Sequence, residues 1–451
     1  MRDIFMFIGS MKLTVVFRHC CLVVSSLYLL CSCAGDPSGE GTTAAKTESG
    51  KAIVTASGDA INVAAHQKWK EAQGIFDQAE KKGWNGDACD DAFDGFEDAS
   101  DAQGNKFAEA RYMMGVVASR CGRKKEAEEH YQKALSINPK LCPARSAIGL
   151  QALKQNRLDS AKVTFEKAIK DDPQCTEAYL NLSIVLWRSS NGGEKSVIDN
   201  LRRALAIQSE YLPAFNQMAL MYLQEAKRGN ESRERLDLAE VVCRQAQLID
   251  RNYAPIYNTW GLVQMEKGEI IKALRFFERA IKLDPKFFEA RMNFGYVTSS
   301  FRGYADARDA YTKALQLKPR SYEATVALGA AYRGLDKPEK AKELYEKAMK
   351  LNPKRPESYF NLGILHQDYM SGSIDDLTKA KSFYQKFISI VSSRPEYKRI
   401  VTSIRRECAP QDRSSKRKRR RRRKCRPGRI QNIDTTIKAL KQAQRIQQMS
   451  S

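Results

Sequence analysis

Histidine is the scarcest reactive residue in this chain, with four among 451 residues: His19, His66, His130 and His366. None lies near another metal ligand in sequence, so the spacing offers no zinc site and no histidine-based nucleophile arrangement. A long hydrophobic run is also missing. The longest apolar stretch runs from Cys20 to Leu30 and counts eleven residues, whereas a spanning helix needs about 20. From residue 34 to about residue 62 large apolar side chains are almost absent. Such a stretch buries too little surface to offset its ordering entropy and reads as a tether. Acid is absent from Arg413 to Arg429, a segment with twelve Lys or Arg, about half of the net charge of +23.

What the chain has in abundance is a period. Gly115 and Gly149 are 34 residues apart, as are Gly261, Gly295, Gly329 and Gly363 in succession. Three small–aromatic–small series follow in step: Ala273, Phe277, Ala280; Ala307, Tyr311, Ala314; Ala341, Tyr345, Ala348. Prolines recur behind them at Pro139, Pro173, Pro285, Pro319 and Pro353. A small residue lets two helices approach closely, the aromatic fills the space beside them, and proline ends the second helix. Counted through, the phase gives eight units starting at Ala108, Cys142, Thr176, Leu212, Ala254, Phe288, Tyr322 and Pro356. Three are longer, around Asn191–Gly193, Lys227–Asn230 and Ser371–Ser373. These insertions are expected as loops between the two helices of a unit.

The pattern resembles the tetratricopeptide repeat (TPR). The resemblance implies an all-α superhelical solenoid of about eight or nine helix-turn-helix repeats. The domains expected are a signal peptide (1–32), a flexible tether (33–65), a degenerate first repeat (66–107), eight units (108–394), a capping helix (395–410), and a basic tail with a terminal helix (411–451). Trp69, Ala92, Phe96 and Ala99 mark the degenerate repeat. In this family the first helix of each unit faces a concave groove that binds an extended peptide or a partner's helix. The corresponding groove residues here are Asn181, Trp187, Gln217, Asn258, Asn293, Tyr296, Arg333 and Asn361. Trp187 is the leading one, because an exposed indole is costly without a partner. The competing reading is that the Asn amides satisfy local backbone or solvent.

The front of the chain resembles a bacterial lipoprotein signal peptide: Lys12 and Arg18, the apolar run, then Leu30-Cys31-Ser32-Cys33. Met11 is a plausible true start, because it gives a short basic segment directly before the apolar run; Met1 is the alternative. The resemblance implies cleavage before Cys33, lipidation of Cys33, and a location at the outer membrane facing the periplasm. A transmembrane anchor is the competing reading. Removal of the signal leaves Cys89, Cys121, Cys142, Cys175, Cys243, Cys408 and Cys425, whose spacings match no disulfide or zinc framework. Cys89 and Cys121 fall in neighbouring helices and could pair.

Function follows as expectation. No metal and no cofactor is called for, and only 57 residues follow Arg394, too few for a catalytic domain. The chain reads as a non-enzymatic scaffold that binds proteins through its groove and a membrane through lipid. An envelope-spanning assembly such as a gliding-motility machine fits the repeat count. A pilotin-like lipoprotein of pilus-secretin assembly, or a non-catalytic subunit of an envelope enzyme complex, is the alternative. The basic run admits attachment to phosphate groups, a linker before a final helix at 430–448, or a shifted reading frame that converts a glutamate-rich tract. The signal peptide argues against nucleic acid as a partner.

Overall fold

The computed structural model of the protein describes residues 44–47, 51–189, 193–229, 232–370, 373–406 and 428–450. The chain divides at Tyr253 and Ala254 into two compact units. The N-terminal unit holds α1 (Val63–Lys82), α2 (Gly86–Ala102), α3 (Ala108–Arg120), α4 (Lys124–Ile137), α5 (Cys142–Lys154), α6 (Leu158–Asp171), α7 (Thr176–Arg188), α8 (Glu194–Ile207), α9 (Leu212–Arg228) and α10 (Ser232–Ile249). The C-terminal unit holds α11 (Ala254–Glu266), α12 (Ile270–Leu283), α13 (Phe288–Ser300), α14 (Tyr304–Leu317), α15 (Tyr322–Gly334), α16 (Pro338–Leu351), α17 (Glu357–Asp368), α18 (Ile374–Val391), α19 (Lys398–Arg405) and α20 (Arg429–Ser450). Each unit is a stack of helix pairs, the all-α TPR solenoid packing that the period implies.

The second helix of each pair buries one narrow stripe. Ala273, Phe277 and Ala280 of α12, spaced by four and three, are each 0% exposed, while Ile271 on the opposite face is open. The aromatic of the stripe lies under the small residue of the preceding helix. A Cβ added at Gly261 would come within 2.5 Å of the Phe277 ring, and one at Gly295 within 2.6 Å of Tyr311.

Two turns repeat with the same period. Between the helices of a pair, Gly122, Asn156, Gly268, Arg302 and Asp336 all have left-handed backbone, with φ between 55° and 82°. Between pairs, an Asn or Asp ahead of the proline accepts a hydrogen bond from the backbone two residues on. Examples are Asp284 Oδ1 from Lys286 N–H at 2.8 Å and Asn138 Oδ1 from Lys140 N–H at 3.0 Å. This Asx turn closes the second helix where proline forbids its continuation.

Two expectations need correction. The flexible tether of 33–65 does not extend to Asn62. Ala45, Ile53 and Ile61, eight residues apart, join in a closed ring of backbone bonds: Ile53 N–H to Ala45 O, Ile61 N–H to Ile53 O, and Ala45 N–H to Ile61 O, each 2.8 Å. Two identical turns support it, Thr47 N–H to Lys51 O and Thr55 N–H to Asp59 O, both 2.8 Å. The three ring side chains pack on Ala65, Ala99, Phe107 and Ala110. The Ala56 N–H donates to buried Glu109 Oε1 at 2.5 Å, and burial pushes that carboxyl above the usual range. A segment with few large apolar side chains thus covers the first repeat through this ring of backbone bonds and three inward side chains.

The insertion near Lys227–Asn230 is helix, not loop. The helices α9 and α10 have 17 and 18 residues, against 13 and 14 in α11 and α12, so each gains about one turn. The insertion near Asn191 has residues 190–192 outside the described set. The terminal helix expected at 430–448 spans Arg429–Ser450 and packs on the last repeat. Ile433 of α20 is buried in the core of the last repeat, Lys381 pairs with Asp434 at 2.6 Å, and Arg429 Nη1 donates to Gln367 and Tyr384. Residues 407–427, which carry most of the basic run, lie outside the described residues.

Two substitutions test this construction. Gly261→Ala drives a methyl into the Phe277 ring and should cost about 1–3 kcal/mol, read as a lowered thermal midpoint. Arg302→Gly relieves a left-handed non-glycine residue and should gain about 1 kcal/mol, read as a midpoint higher by about 2–4 °C.

Candidate functional site

The predicted groove residues separate into two groups, one in each unit. In the N-terminal unit, Asn181 on α7 is 0% exposed, and neither amide atom has a hydrogen-bond partner. Gln217 on α9 is buried. Trp187 is not the open indole expected from the sequence. It packs against the hydrophobic core, its Nε1–H donates to Gln224 Oε1 of α9, and the Arg228 guanidinium lies 4.9 Å from the ring centroid. The longer α9 supplies Arg228 from its last turn, which explains why the periodic pattern alone left the indole uncovered.

In the C-terminal unit, Asn293 Nδ2–H of α13 donates to Asn258 Oδ1 of α11 at 2.8 Å. Asn258 is buried and Asn293 half-buried. Tyr296 is half-buried, and burial raises its phenol. Arg333 on α15 is 2% exposed, and its Nη1–H donates to Asn361 Oδ1 of α17 at 2.9 Å. Asn361 Nδ2–H donates to the Glu357 carbonyl at 2.8 Å, and Arg333 Nη2 has no partner. Asn361 therefore ties its own helix to the preceding repeat instead of facing an open groove. Of the eight residues, Asn181, Gln217, Asn258, Arg333 and Asn361 are buried, so only Trp187, Asn293 and Tyr296 keep partial exposure.

These contacts are members of a ladder. First helices of successive units touch at residues about 35 apart: Cys142 with Glu177, Asn258 with Asn293, Tyr322 with Glu357. The last is the densest. Tyr322 O–H donates to Glu357 Oε2 at 3.3 Å and accepts from Ser358 N–H at 3.0 Å, while Arg355 binds Glu357 at 3.0 Å and also Glu323. Burial raises the Tyr322 phenol, and the nearby carboxylates raise the Arg355 guanidinium against its own desolvation. The ladder was invisible in a single repeat, because it joins one repeat to the next.

The cysteines contribute two links, one between the pair expected from the repeat phase and one that was not foreseen. Cys89 of α2 is bonded to Cys121 after α3, with Cα atoms 6.0 Å apart. Cys142 of α5 is bonded to Cys175 before α7, with Cα atoms 5.6 Å apart. Cys142, Cys175 and Glu177 form a three-donor group within 4.8 Å, but the disulfide removes both thiolates as ligands. His366, expected to stand alone, has Nδ1 3.2 Å from Asp376 Oδ1. Cys33 lies outside the described residues.

The comparisons agree with this geometry. Tetratricopeptide repeat family profiles match residues 108–141, 146–216, 254–287 and 303–366. Human Protein O-mannosyl-transferase TMTC1 is 28% identical over 180 residues, 40% of this chain and 20% of the relative. Type IV pilus assembly protein PilF of Pseudomonas aeruginosa is 25% identical over 164 residues, 36% of this chain and 62% of the relative. The chain thus spans a minor part of the first relative and less than two thirds of the second. The Cut9–Hcn1 hetero-tetramer of the APC/C has a TM-score of 0.50 at 16% identity, over 66% of this chain and 55% of that one, a likeness of fold alone. Repeat period, helix packing and family match converge: the chain is a tetratricopeptide repeat protein, of the class whose repeats bind other proteins.

Proposed function

We propose that the protein is a lipid-anchored, non-enzymatic scaffold of the bacterial envelope, fixed at Cys33 and gathering protein partners on its first helices. The observation that carries the binding part is the division of labour along those helices. Most of the predicted groove residues there are buried, whereas Asn293, although one amide hydrogen goes to Asn258, and Tyr296 stay half-exposed beside one another on α13. An amide and a phenol one turn apart offer hydrogen bonds and aromatic surface to an extended peptide or a helix. The lipobox-like tetrad Leu30–Cys33 supports the anchor. The described residues of the cap begin at Ala44, about ten residues beyond Cys33.

An envelope machine of the gliding-motility kind is the assembly that this reading favours. A pilotin-like role in pilus assembly is the second reading, and the 25% identity to PilF is the observation in its favour. In either, the chain acts by binding and not by catalysis.

Metabolic palmitate label should enter the wild-type chain and vanish in Cys33→Ser; label that survives this change sinks the anchor. Capture of partners from detergent-solubilised envelopes should fall about 5- to 100-fold in Asn293→Ala/Tyr296→Ala, corresponding to about 1–3 kcal/mol. Asn361→Ala should lower stability by about 1–3 kcal/mol, because it strands Arg333, while leaving capture by the folded fraction unchanged. Equal capture by wild type and the Asn293/Tyr296 variant would remove α13 from the binding surface.

A further inference from the structure

The two disulfides are more than local staples, and their placement says how this chain matures. Each links one repeat to the next. Cys89 belongs to the second helix of the first pair and Cys121 follows the first helix of the second pair. Cys142 opens α5, and Cys175 directly precedes α7. The sequence separations are 32 and 33, just under the 34-residue period. The pairs neither cross nor nest: the first closes before the second begins. Four cysteines allow three connectivities, and this one has the smallest combined loop length, so it carries the smallest total closure entropy.

The fifth described cysteine is kept out of this chemistry. Cys243 takes the aromatic place of the fourth unit, is 0% exposed, and its thiol is raised by burial. A thiol that is neither accessible nor ionised does not attack a neighbouring disulfide.

We propose that Cys89, Cys121, Cys142 and Cys175 are modification sites for a protein dithiol oxidase, which joins them in chain order and locks the repeats of the N-terminal unit in pairs. In each round, one cysteine thiolate attacks the oxidase's disulfide and forms a mixed disulfide. The second cysteine thiolate then displaces the oxidase as a dithiol. One S–S bond forms in this chain and one breaks in the oxidase, with two electrons passing to the oxidase and the two thiol protons accounted for in its reduced form. The chain is therefore a consumer of thiol-oxidising equivalents and matures where such an oxidase works, outside a reducing cytosol. This proposal stands apart from the lipid at Cys33, since an exported chain meets the oxidant whether or not it is acylated.

The locking has a mechanical consequence. A solenoid's stability is a sum over repeats and their nearest-neighbour interfaces, so an end repeat frays independently. Bonds across two of the first interfaces suppress that fraying, and the backbone ring at Ala45, Ile53 and Ile61 covers the exposed end.

The test uses the full chain purified from two hosts, one with and one without a dithiol oxidase in the export compartment. Alkylation in denaturant without reductant, followed by peptide mapping, should recover Cys89 linked to Cys121 and Cys142 linked to Cys175 from the first host. All four should be alkylated from the second. Without denaturant, Cys243 should resist alkylation in both. Reductant should lower the thermal midpoint of the oxidised protein by about 5–15 °C, and should leave a variant with all four cysteines changed to serine unmoved. Should that variant not fold, Cys89→Ser/Cys121→Ser and Cys142→Ser/Cys175→Ser each isolate one link. Should neither fold, the wild-type map and reductant response decide alone. Free thiols at the four positions from the oxidising host, peptides joined in another pairing, or a midpoint indifferent to reductant would each overturn the proposal.

Discussion

One contact sets the geometry of six of the helix pairs: an aromatic ring lying flush against a helix that has no side chain to keep it away. The pairs are Gly115 with Tyr131, Gly149 with Phe165, Gly261 with Phe277, Gly295 with Tyr311, Gly329 with Tyr345 and Gly363 with Tyr384. In all six, an added Cβ would fall 2.5–2.7 Å from the ring. Such an approach leaves no slack, so the two helices of a pair meet at one separation and one angle. Everything else is hung on that rigid hairpin. The left-handed turn residue recurs every 34 residues because the hairpin does, and the Asx turn recurs because each proline meets the chain at the same place. The first-helix ladder follows as well: identical hairpins, stacked, bring residues about 35 apart to hydrogen-bonding distance.

How much of this could be read from the sequence depends on the length scale of the cause. The hairpins were legible because Gly, aromatic and Ala positions repeat within a single unit and the repetition removes chance. The cap was not. Its apolar residues, Ala45, Ile53 and Ile61, are few and small, and its stability comes from backbone groups that carry no sequence signature. The insertion in the fourth unit was visible as eight extra residues, but its conformation depended on both flanking helices extending together. Of the disulfides, Cys89–Cys121 was legible once the phase placed the two residues in neighbouring helices, whereas Cys142–Cys175 escaped because stacking of successive units creates that proximity. The groove was read too generously for a related reason. Asn258 and Asn361 occupy positions that face the next repeat as much as the concave side, and their amides bind protein there.

Polar groups on the first helices therefore answer a structural demand before a functional one. A buried amide or guanidinium costs stability unless paired, and Asn361 with Arg333, or Tyr322 with Glu357 and Arg355, pair within the stack. Asn181 departs furthest from this among the predicted groove residues, wholly buried with both amide atoms unpaired; nothing in its surroundings explains it. Trp187 shows the same economy in apolar form. Gln224 satisfies its indole N–H and Arg228 covers its face, both supplied by the lengthened α9.

The two units hold their repeats together by different means. In the N-terminal unit two interfaces are covalent. Among the described residues of the C-terminal unit no disulfide occurs, and the last repeats rely on the Tyr322–Glu357–Arg355 cluster and on α20. There Arg429 contacts Gln367, Asp368 and Tyr384 at 2.8–3.0 Å. Ionic and hydrogen-bonded links exchange with water and rearrange at small cost, whereas a disulfide does not. A scaffold that must adjust to a partner gains from adjustable interfaces where it binds and from fixed ones where it is held. Asn293 and Tyr296 fall in the unit with adjustable interfaces, and the cap and both disulfides fall in the unit next to the N-terminal segment. Under the proposed function, attachment and adaptation would fall to different stretches of one repeating fold.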